Sequence, residues 1–413
     1  MTAPRERGMV APHLRRARLG VTLLFFTNAV AWANLVPRLP EVRTELGLSY
    51  TQFGLAIAMM PVGALTLGLA AAPLIRRFHS GNVATAGAIA LAVASALAGV
   101  APTGILFAGA LFLAGAFDSL TDVAQNSHGL RVQRGYGRSI LNAMHGVWSM
   151  GAVVGGLTGG AAAGLGLPLS AHLGVVAALV AIINVAGHRL LMRGPDPRGD
   201  VSASTPEAHG SPSDAPAGPG PRGARTSVSG RTWALLVALG IIAMSGTWVE
   251  DAGATWGASY LRDELGAIAS IAALGFVSLQ AMQMVGRLTG DRMVDRWGQR
   301  AVARAGAAIG LAGMGTALAF PTVWGTVIGF GAAGFGVATL IPSAMAAADD
   351  LPGFKHGSAL TYMGWLLRAS FLVSPPLVGL IADATGIRYG LMLMPLSAVA
   401  VLILARVLPR AAT

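Results

Sequence analysis

The sequence predicts an all-α integral membrane protein whose twelve transmembrane helices form two pseudo-symmetric halves of six. Three observations carry that reading. Hydrophobic residues make up 54% of the 413 and charged residues only 11%, against about 25% charged in soluble proteins, so most of the surface cannot face water. Apolar runs of roughly 20 residues recur along the chain, each long enough to cross a ~30 Å hydrocarbon core. The loops between them alternate between arginine-rich and arginine-poor, as the positive-inside rule expects of a chain that crosses repeatedly.

The spans read as 19–37, 52–75, 82–100, 103–128, 140–164, 168–191, 232–261, 267–290, 301–319, 322–346, 358–383 and 386–408. Arg5, Arg7, Arg15, Arg16 and Arg18 precede the first and set its N-terminal side in the cytosol. The same side then collects Arg76 and Arg77; Arg131, Arg134 and Arg138; six arginines between 189 and 231; Arg287 through Arg304; and Lys355, Arg406 and Arg410. It holds 24 of the 29 Lys and Arg residues, the other side only Arg38, Arg43, Arg262 and Arg388. The remaining one, Arg368, falls within a span.

The net charge of +11 is thus topological and does not imply nucleic acid as a partner. With no cysteine in the chain, disulfides, thiolate metal sites, iron–sulfur clusters and cysteine nucleophiles are excluded. Continuous Ala/Leu/Gly-rich runs disfavour a β-barrel, which needs ten-residue alternation. Ala31-Trp32-Ala33 after the N-terminal arginines imitates a signal-peptide cleavage site, but small residues fill the whole chain and the first span is read as retained. Between 193 and 231 seven prolines sit among Gly, Ser and Ala, a composition expected to stay disordered. This linker separates a half at 1–192 from a half at 232–413, and the six-plus-six count suggests duplication.

An ionisable side chain inside a span is costly and marks a functional candidate. Span four carries Asp118 and Asp122 four apart, hence on one helical face, with Asn126 continuing the stripe. Span seven carries Glu250 and Asp251, and span five carries His145 with Trp148 and Ser149. These acids and His145 are the candidate proton-coupling residues. Asn28 and Trp32 in span one, Asn126, Trp148, Trp256, Gln280, and Trp365 with Arg368 in span eleven are the candidate substrate contacts. At ~1.5 Å per residue Asp122 and His145 lie at similar depth, and Arg368 falls between the depths of Asp118 and Asp122. An arginine there needs a carboxylate or an anionic substrate group, so pairing with a span-four aspartate is expected. Metal and cofactor sites are not.

Span five reads Gly151-Ala-Val-Val-Gly155-Gly156-Leu-Thr-Gly159-Gly160. Glycines four apart let helix backbones approach closely, which makes Gly155 and Gly159 candidate gating positions as well as packing ones. After span eight, Asp291, Asp295, Arg296 and Arg300 form a charged loop able to pair with neighbouring helix ends and hold the cytosolic side shut.

These pieces resemble the major facilitator superfamily of secondary transporters. Asp291-x-x-x-Asp295-Arg296-Trp297-Gly298-x-Arg300 is similar to that superfamily's cytosolic signature, with Asp291 in the usual glycine position; the corresponding Arg76-Arg77-Phe78-His79-Ser80-Gly81 lacks its acid. The span-five glycines resemble the drug/proton antiporter motif, except that Gly156 replaces its proline. Asp122-Val123-x-x-Asn126-x-x-Gly129, His145-x-x-Trp148-Ser149-x-Gly151, Trp256-x-x-x-Tyr260-Leu261-Arg262-Asp263 and Ser374-Pro375-Pro376-Leu377-x-Gly379 resemble a fucose-permease-like branch of bacterial members. Fucose permease also relies on an acid in span one, where this chain offers only Asn28 and Asn34.

The resemblance implies two six-helix halves rocking about a midplane site in a bacterial cytoplasmic membrane, in a monomer with both termini cytosolic. The expected function is secondary transport of a small organic solute, coupled to protons. Antiporter-like glycines favour export, the permease-like stretches uptake of a sugar-like solute; the reading leans to efflux. No Gly-x-x-x-x-Gly-Lys-[Ser/Thr] sequence exists for ATP hydrolysis. A membrane enzyme would need an extramembrane catalytic loop or a metal cluster, which the short or disordered loops do not provide. A non-transporting sensor remains an alternative.

Overall fold

The computed structural model describes residues 11–137, 139–194, 196, 228–354 and 357–409. Its long helices are α1 (Pro12–Ala33), α2 (Tyr50–Gly68), α3 (Ser80–Ala98), α4 (Gly104–Tyr136), α5 (Leu141–Gly164), α6 (Leu169–His188), α7 (Gly230–Ser259), α8 (Leu274–Trp297), α9 (Gln299–Ala319), α10 (Val323–Val337), α11 (Ser358–Thr385) and α12 (Leu393–Leu404). They match the expected spans one for one. Eleven of the twelve regions are long and apolar enough to cross a membrane by length and composition. The exception is α5, whose 24 residues would span ~36 Å but whose glycines, Asn142, His145 and Ser149 lower its mean hydropathy. It needs less apolar surface because it packs between α1 and α8.

Local chemistry sets the helix ends. Ser49 caps α2 in a reciprocal capping box with Gln52, Thr103, Ser229 and Thr322 cap α4, α7 and α10, and Gly137 closes α4 in the left-handed conformation that glycine adopts at little cost. Successive helices run up and down. One end of the bundle gathers the first and last described residues, where Arg300 donates to the carbonyls of Leu408 and Arg406; we call it the termini end.

Most of the 193–231 linker lies outside the described residues, but its first part is docked rather than free. The Asp196 carboxylate accepts from the Ser80 backbone N–H at 2.7 Å and the Ser80 hydroxyl at 2.6 Å and meets Arg131 at 3.4 Å, while Arg131 also donates to the Arg193 and Gly194 carbonyls. A helix N-terminus and a guanidinium together repay ordering this acid, a partnership that composition alone does not reveal.

The halves meet through two helix pairs, α2 with α11 and α5 with α8. Replacing each helix by the one six further along exchanges the two pairs, so the contact has the symmetry expected of duplicated halves. Both approaches are close: a Cβ on Gly54 of α2 would overlap the Pro375 carbonyl of α11, and one on Gly156 of α5 would press on Phe276 and Val277 of α8.

Burial differs along the bundle axis. At the far end one apolar core runs through both halves, joining Leu35, Phe53 and Phe107 to Trp256, Tyr260, Phe330 and Val378. At the termini end the cores are separate. One is built from residues 17–191 and the other from residues 236–408.

Candidate functional site

The span-four stripe lies on the less buried face of α4. Asp118, Asp122 and Asn126 are half-buried while Ser119, Val123, Ala124 and Gln125 beside them are buried. From α1, Asn28 (3% exposed) donates its amide to Asp118 Oδ1 at 2.9 Å, and the Trp148 indole N–H of α5 donates to Asn28 Oδ1 at 2.8 Å. Three helices of one half are thereby joined through Trp148, Asn28 and Asp118, all named from the sequence. One turn along, Asp122 Oδ1 accepts from Asn126 at 2.9 Å and from Gln125 at 3.4 Å. Trp32 lies one turn beyond Asn28, half-buried, packed on an apolar cluster that includes Val36 of its own half and Phe276 of the other.

In the other half, Glu250 Oε2 accepts from Gln283 of α8 at 2.8 Å and meets Arg287 at 3.6 Å. Sequence reasoning missed both partners. It assigned Arg287 to the cytosolic arginines, yet this residue lies ten before the end of α8, ~15 Å inward, with its side chain only 27% exposed. Gln283 shares a face with Gln280, which is 7% exposed, and that i, i+3 spacing was the available signal. Asp251 accepts from Thr255 at 3.5 Å through one oxygen, while its other oxygen is enclosed without a hydrogen bond.

Two expected pairings and one expected substrate contact take another form. Neither Asp118 nor Asp122 forms an ion pair with Arg368 among the described residues; amides hold both acids, and the Arg368 guanidinium stands 5.8 Å from the Trp365 ring centroid, with Trp365 59% exposed. His145 is not among the partners of Asp122 and meets the Phe25 ring edge-on at 5.2 Å. Trp256, expected at the substrate site, is fully buried in the far-end core, 5.9 Å from Tyr50 and 5.6 Å from Phe53. It is a plug between the halves.

Of the glycines, Gly155 and Gly159 pack on Ala33 and Asn34 of the same half, whereas Gly156 and Gly160 face Phe276 and Ala273 of the other. Asp291 and Asp295 are exposed, Arg296 lies 5.6 Å from the Trp297 ring, and Arg300 binds carbonyls of its own half. The charged loop therefore makes no ion pair with the opposite half among the described residues.

The far end carries polar ties that the sequence did not single out. Asp263 meets Arg43 at 3.0 Å, with that guanidinium 4.2 Å over the Tyr50 ring. The Asp383 carboxylate accepts from the backbone N–H groups of Tyr50 and Thr51, both at 2.8 Å. Each tie crosses between halves. No cluster of three or more His, Asp or Glu suited to a metal occurs among the described residues.

A family model described as Major Facilitator Superfamily matches residues 21–266 and 251–413. The chain is 31% identical over 390 residues to a protein of Sinorhizobium fredii (strain NBRC 101917 / NGR234) named as the uncharacterized transporter y4wD, covering 94% of this chain and 97% of that protein. Among solved structures, a bacterial homologue of the human lysosomal transporter Spinster, in an inward-facing and occupied conformation, superposes with a TM-score of 0.69 at 16% identity over 97% of each chain. The transporter FucP in its outward conformation gives 0.56 at 18% identity, over 94% of this chain and 97% of its own. The chain belongs to the Major Facilitator Superfamily, a family of multi-pass membrane transporters rather than enzymes.

Proposed function

We propose that this protein is a secondary active transporter that moves a small organic solute across the bacterial cytoplasmic membrane by alternating access, exchanging it for protons in the direction of export. Both termini and the 193–231 linker face the cytosol. The observation that carries the reading is the asymmetry of closure: one core joins both halves at the far end, while the termini end holds two separate cores, between which the half-buried Asp118–Asp122–Asn126 face of α4 would lie. With the arginine-rich end cytosolic, this is an inward-open arrangement.

Asp118 and Asp122 carry the proton. Their partners are carboxamides, which can donate to an ionised carboxyl and accept from a protonated one, so these acids can change charge without losing their neighbours. A second reading, proton-coupled uptake of a sugar-like solute, is favoured by the Asp122–Asn126 pair, which lies in a stretch resembling the fucose-permease branch.

A ligand screen by thermal shift on the purified protein, followed by pH-jump transport in liposomes, tests the proposal. Asp122→Asn should abolish pH-driven flux and leave counterflow partly intact. Undiminished pH-driven flux removes Asp122 from the mechanism. The sign of the gradient that drives solute accumulation separates export from uptake, and reporter fusions at Gly194 and Thr413 should both signal cytosol.

A further inference from the structure

Asp251 differs from the other acids of its half that face the interior or the opposite half. Glu250 has Arg287, Asp263 has Arg43, and Asp383 has the N-terminus of α2. Asp251 forms no ion pair among the described residues, and one of its oxygens is enclosed with no donor. A carboxylate so placed inside a span requires a neutralising partner.

What surrounds it is oxygen. Helices α7 and α11 run side by side, tied by Thr247 and Ser370 hydroxyls 2.6 Å apart. One turn further along both helices, Asp251 lies beside Ser374. Ser374 is fully buried and neither its hydroxyl nor Asp251 Oδ2 has a well-formed hydrogen bond, so two under-satisfied oxygens sit side by side. Thr255 brings a third oxygen, 3.5 Å from Asp251 Oδ1. Next in the chain stand Pro375 and Pro376, inside the helix. Without N–H groups they cannot donate to the carbonyls of Phe371 and Leu372 one turn back, and such freed carbonyls are characteristic of ion sites at breaks in transmembrane helices.

We propose that Asp251, Ser374 and Thr255 form a binding site for a sodium ion within the C-terminal half. One carboxylate among neutral hard oxygens matches a monovalent hard cation in charge and in ligand type. The ion would satisfy both of these under-satisfied oxygens at once. The site lies directly beneath the far-end seal: Thr255 precedes the Trp256 plug, and Pro375 is the residue against which Gly54 of the other half packs. Occupancy therefore joins α7 to α11 where the halves close, giving sodium a preference for the sealed far end. This removes Asp251 from the proton-coupling set expected from the sequence and leaves the role of Asp118 and Asp122 to be decided separately.

The test is thermal unfolding of the purified full chain in NaCl, KCl and choline chloride at equal ionic strength and fixed pH. A ligand bound only by the folded state raises the unfolding temperature in proportion to the logarithm of its occupancy. A saturable, sodium-selective rise is expected in the parent, absent from Asp251→Asn and from Ser374→Ala, and retained in Asp122→Asn and Glu250→Gln. Equilibrium binding of radioactive sodium supplies a second readout: one ion per chain, weakened about tenfold or more in Ser374→Ala, a variant that removes a single oxygen from a buried helix position. Equal unfolding temperatures in NaCl and choline chloride overturn the proposal, as does a sodium effect that survives both site variants. Stabilisation that follows pH and ignores sodium overturns it too, and gives the site to a proton.

Discussion

In the N-terminal half Asp118 and Asp122 are each held by a carboxamide at 2.9 Å, from Asn28 and Asn126. In the C-terminal half Glu250 takes an amide from Gln283 at 2.8 Å but also a guanidinium, Arg287, at 3.6 Å. Helix α7 is the counterpart of α1 six helices on, but Asn28 of α1 holds an acid on α4 whereas Glu250 of α7 is held from α8, the counterpart of α2, and the electrostatic solutions differ as well. A neutral amide tolerates either charge state of its acid. A guanidinium has donors only and pairs with a carboxylate. The first half is thus suited to changing its charge and the second to keeping it.

The same division holds where the halves meet. Asp263 and Asp383 come from the C-terminal half, while the N-terminal half supplies the positive partners, Arg43 and the α2 N-terminus. Charged groups of the C-terminal half thus help fasten the far end in this conformation.

The largest expected effect comes from breaking the fixed pair. Arg287→Ala leaves Glu250 enclosed with an amide only, and removing one partner of a buried pair costs ~3–5 kcal/mol. The Arg287 side chain is 27% exposed, so about 2 kcal/mol is the reasonable expectation after solvent screening. Adding Glu250→Gln should recover most of that loss, because the unpaired charge is then gone. Thermal unfolding of both single variants and the double variant reads the coupling. Additive losses would mean the pair is not a unit and the contrast between halves fails.

A smaller effect is expected at the far end. Arg43→Ala with Asp383→Asn removes one partly exposed ion pair and the charge at one helix N-terminus, each worth ~1 kcal/mol at most. Together they should shift the balance toward far-end opening by about tenfold. The chain has no cysteine, so Ala258→Cys would carry a unique thiol at a position only 1% exposed in the seal. Its alkylation by a membrane-impermeant reagent from the far end should quicken about tenfold in the double variant. An unchanged rate would show that apolar packing alone holds the seal.

How much of this was legible in the sequence depended on whether the signal was local. Hydropathy marked the twelve helices because each apolar run is its own signal, and the i, i+4 stripe at 118, 122 and 126 marked the less buried face of α4. Arg287 escaped because a basic residue in the last turns of a span already has an explanation in loop charge; only the neighbouring α7 shows that it has a partner. Trp256 was misplaced because a tryptophan lining a cavity and one plugging it look alike until Tyr50 and Phe53, from the other half, are seen against it. Gly155 and Gly156 are one residue apart but ~100° apart around the helix, so one faces α1 and the other α8. The glycine run announced close packing without saying on which side.

The smallest effect should come from Trp148→Phe, and it probes the amide-held side of the comparison. The change keeps an aromatic ring of nearly the same shape on α5 and deletes the indole N–H that donates to Asn28 at 2.8 Å. Asn28 Oδ1 then has no donor, and since the residue is 3% exposed the loss should cost ~1 kcal/mol of stability. The more informative readout is flux. If Asn28 is a positioning residue, oriented by Trp148 so that its N–H₂ meets Asp118, freeing its oxygen lets the amide rotate and weakens the hydrogen bond to the acid. Asp118 then loses a donor, and the pH profile of transport should change. Trp148→His, which restores a ring N–H, should bring the profile part of the way back. A pH profile identical to the parent's, with only stability reduced, would make Trp148 a packing residue and confine the titrating unit to Asp118 and Asn28.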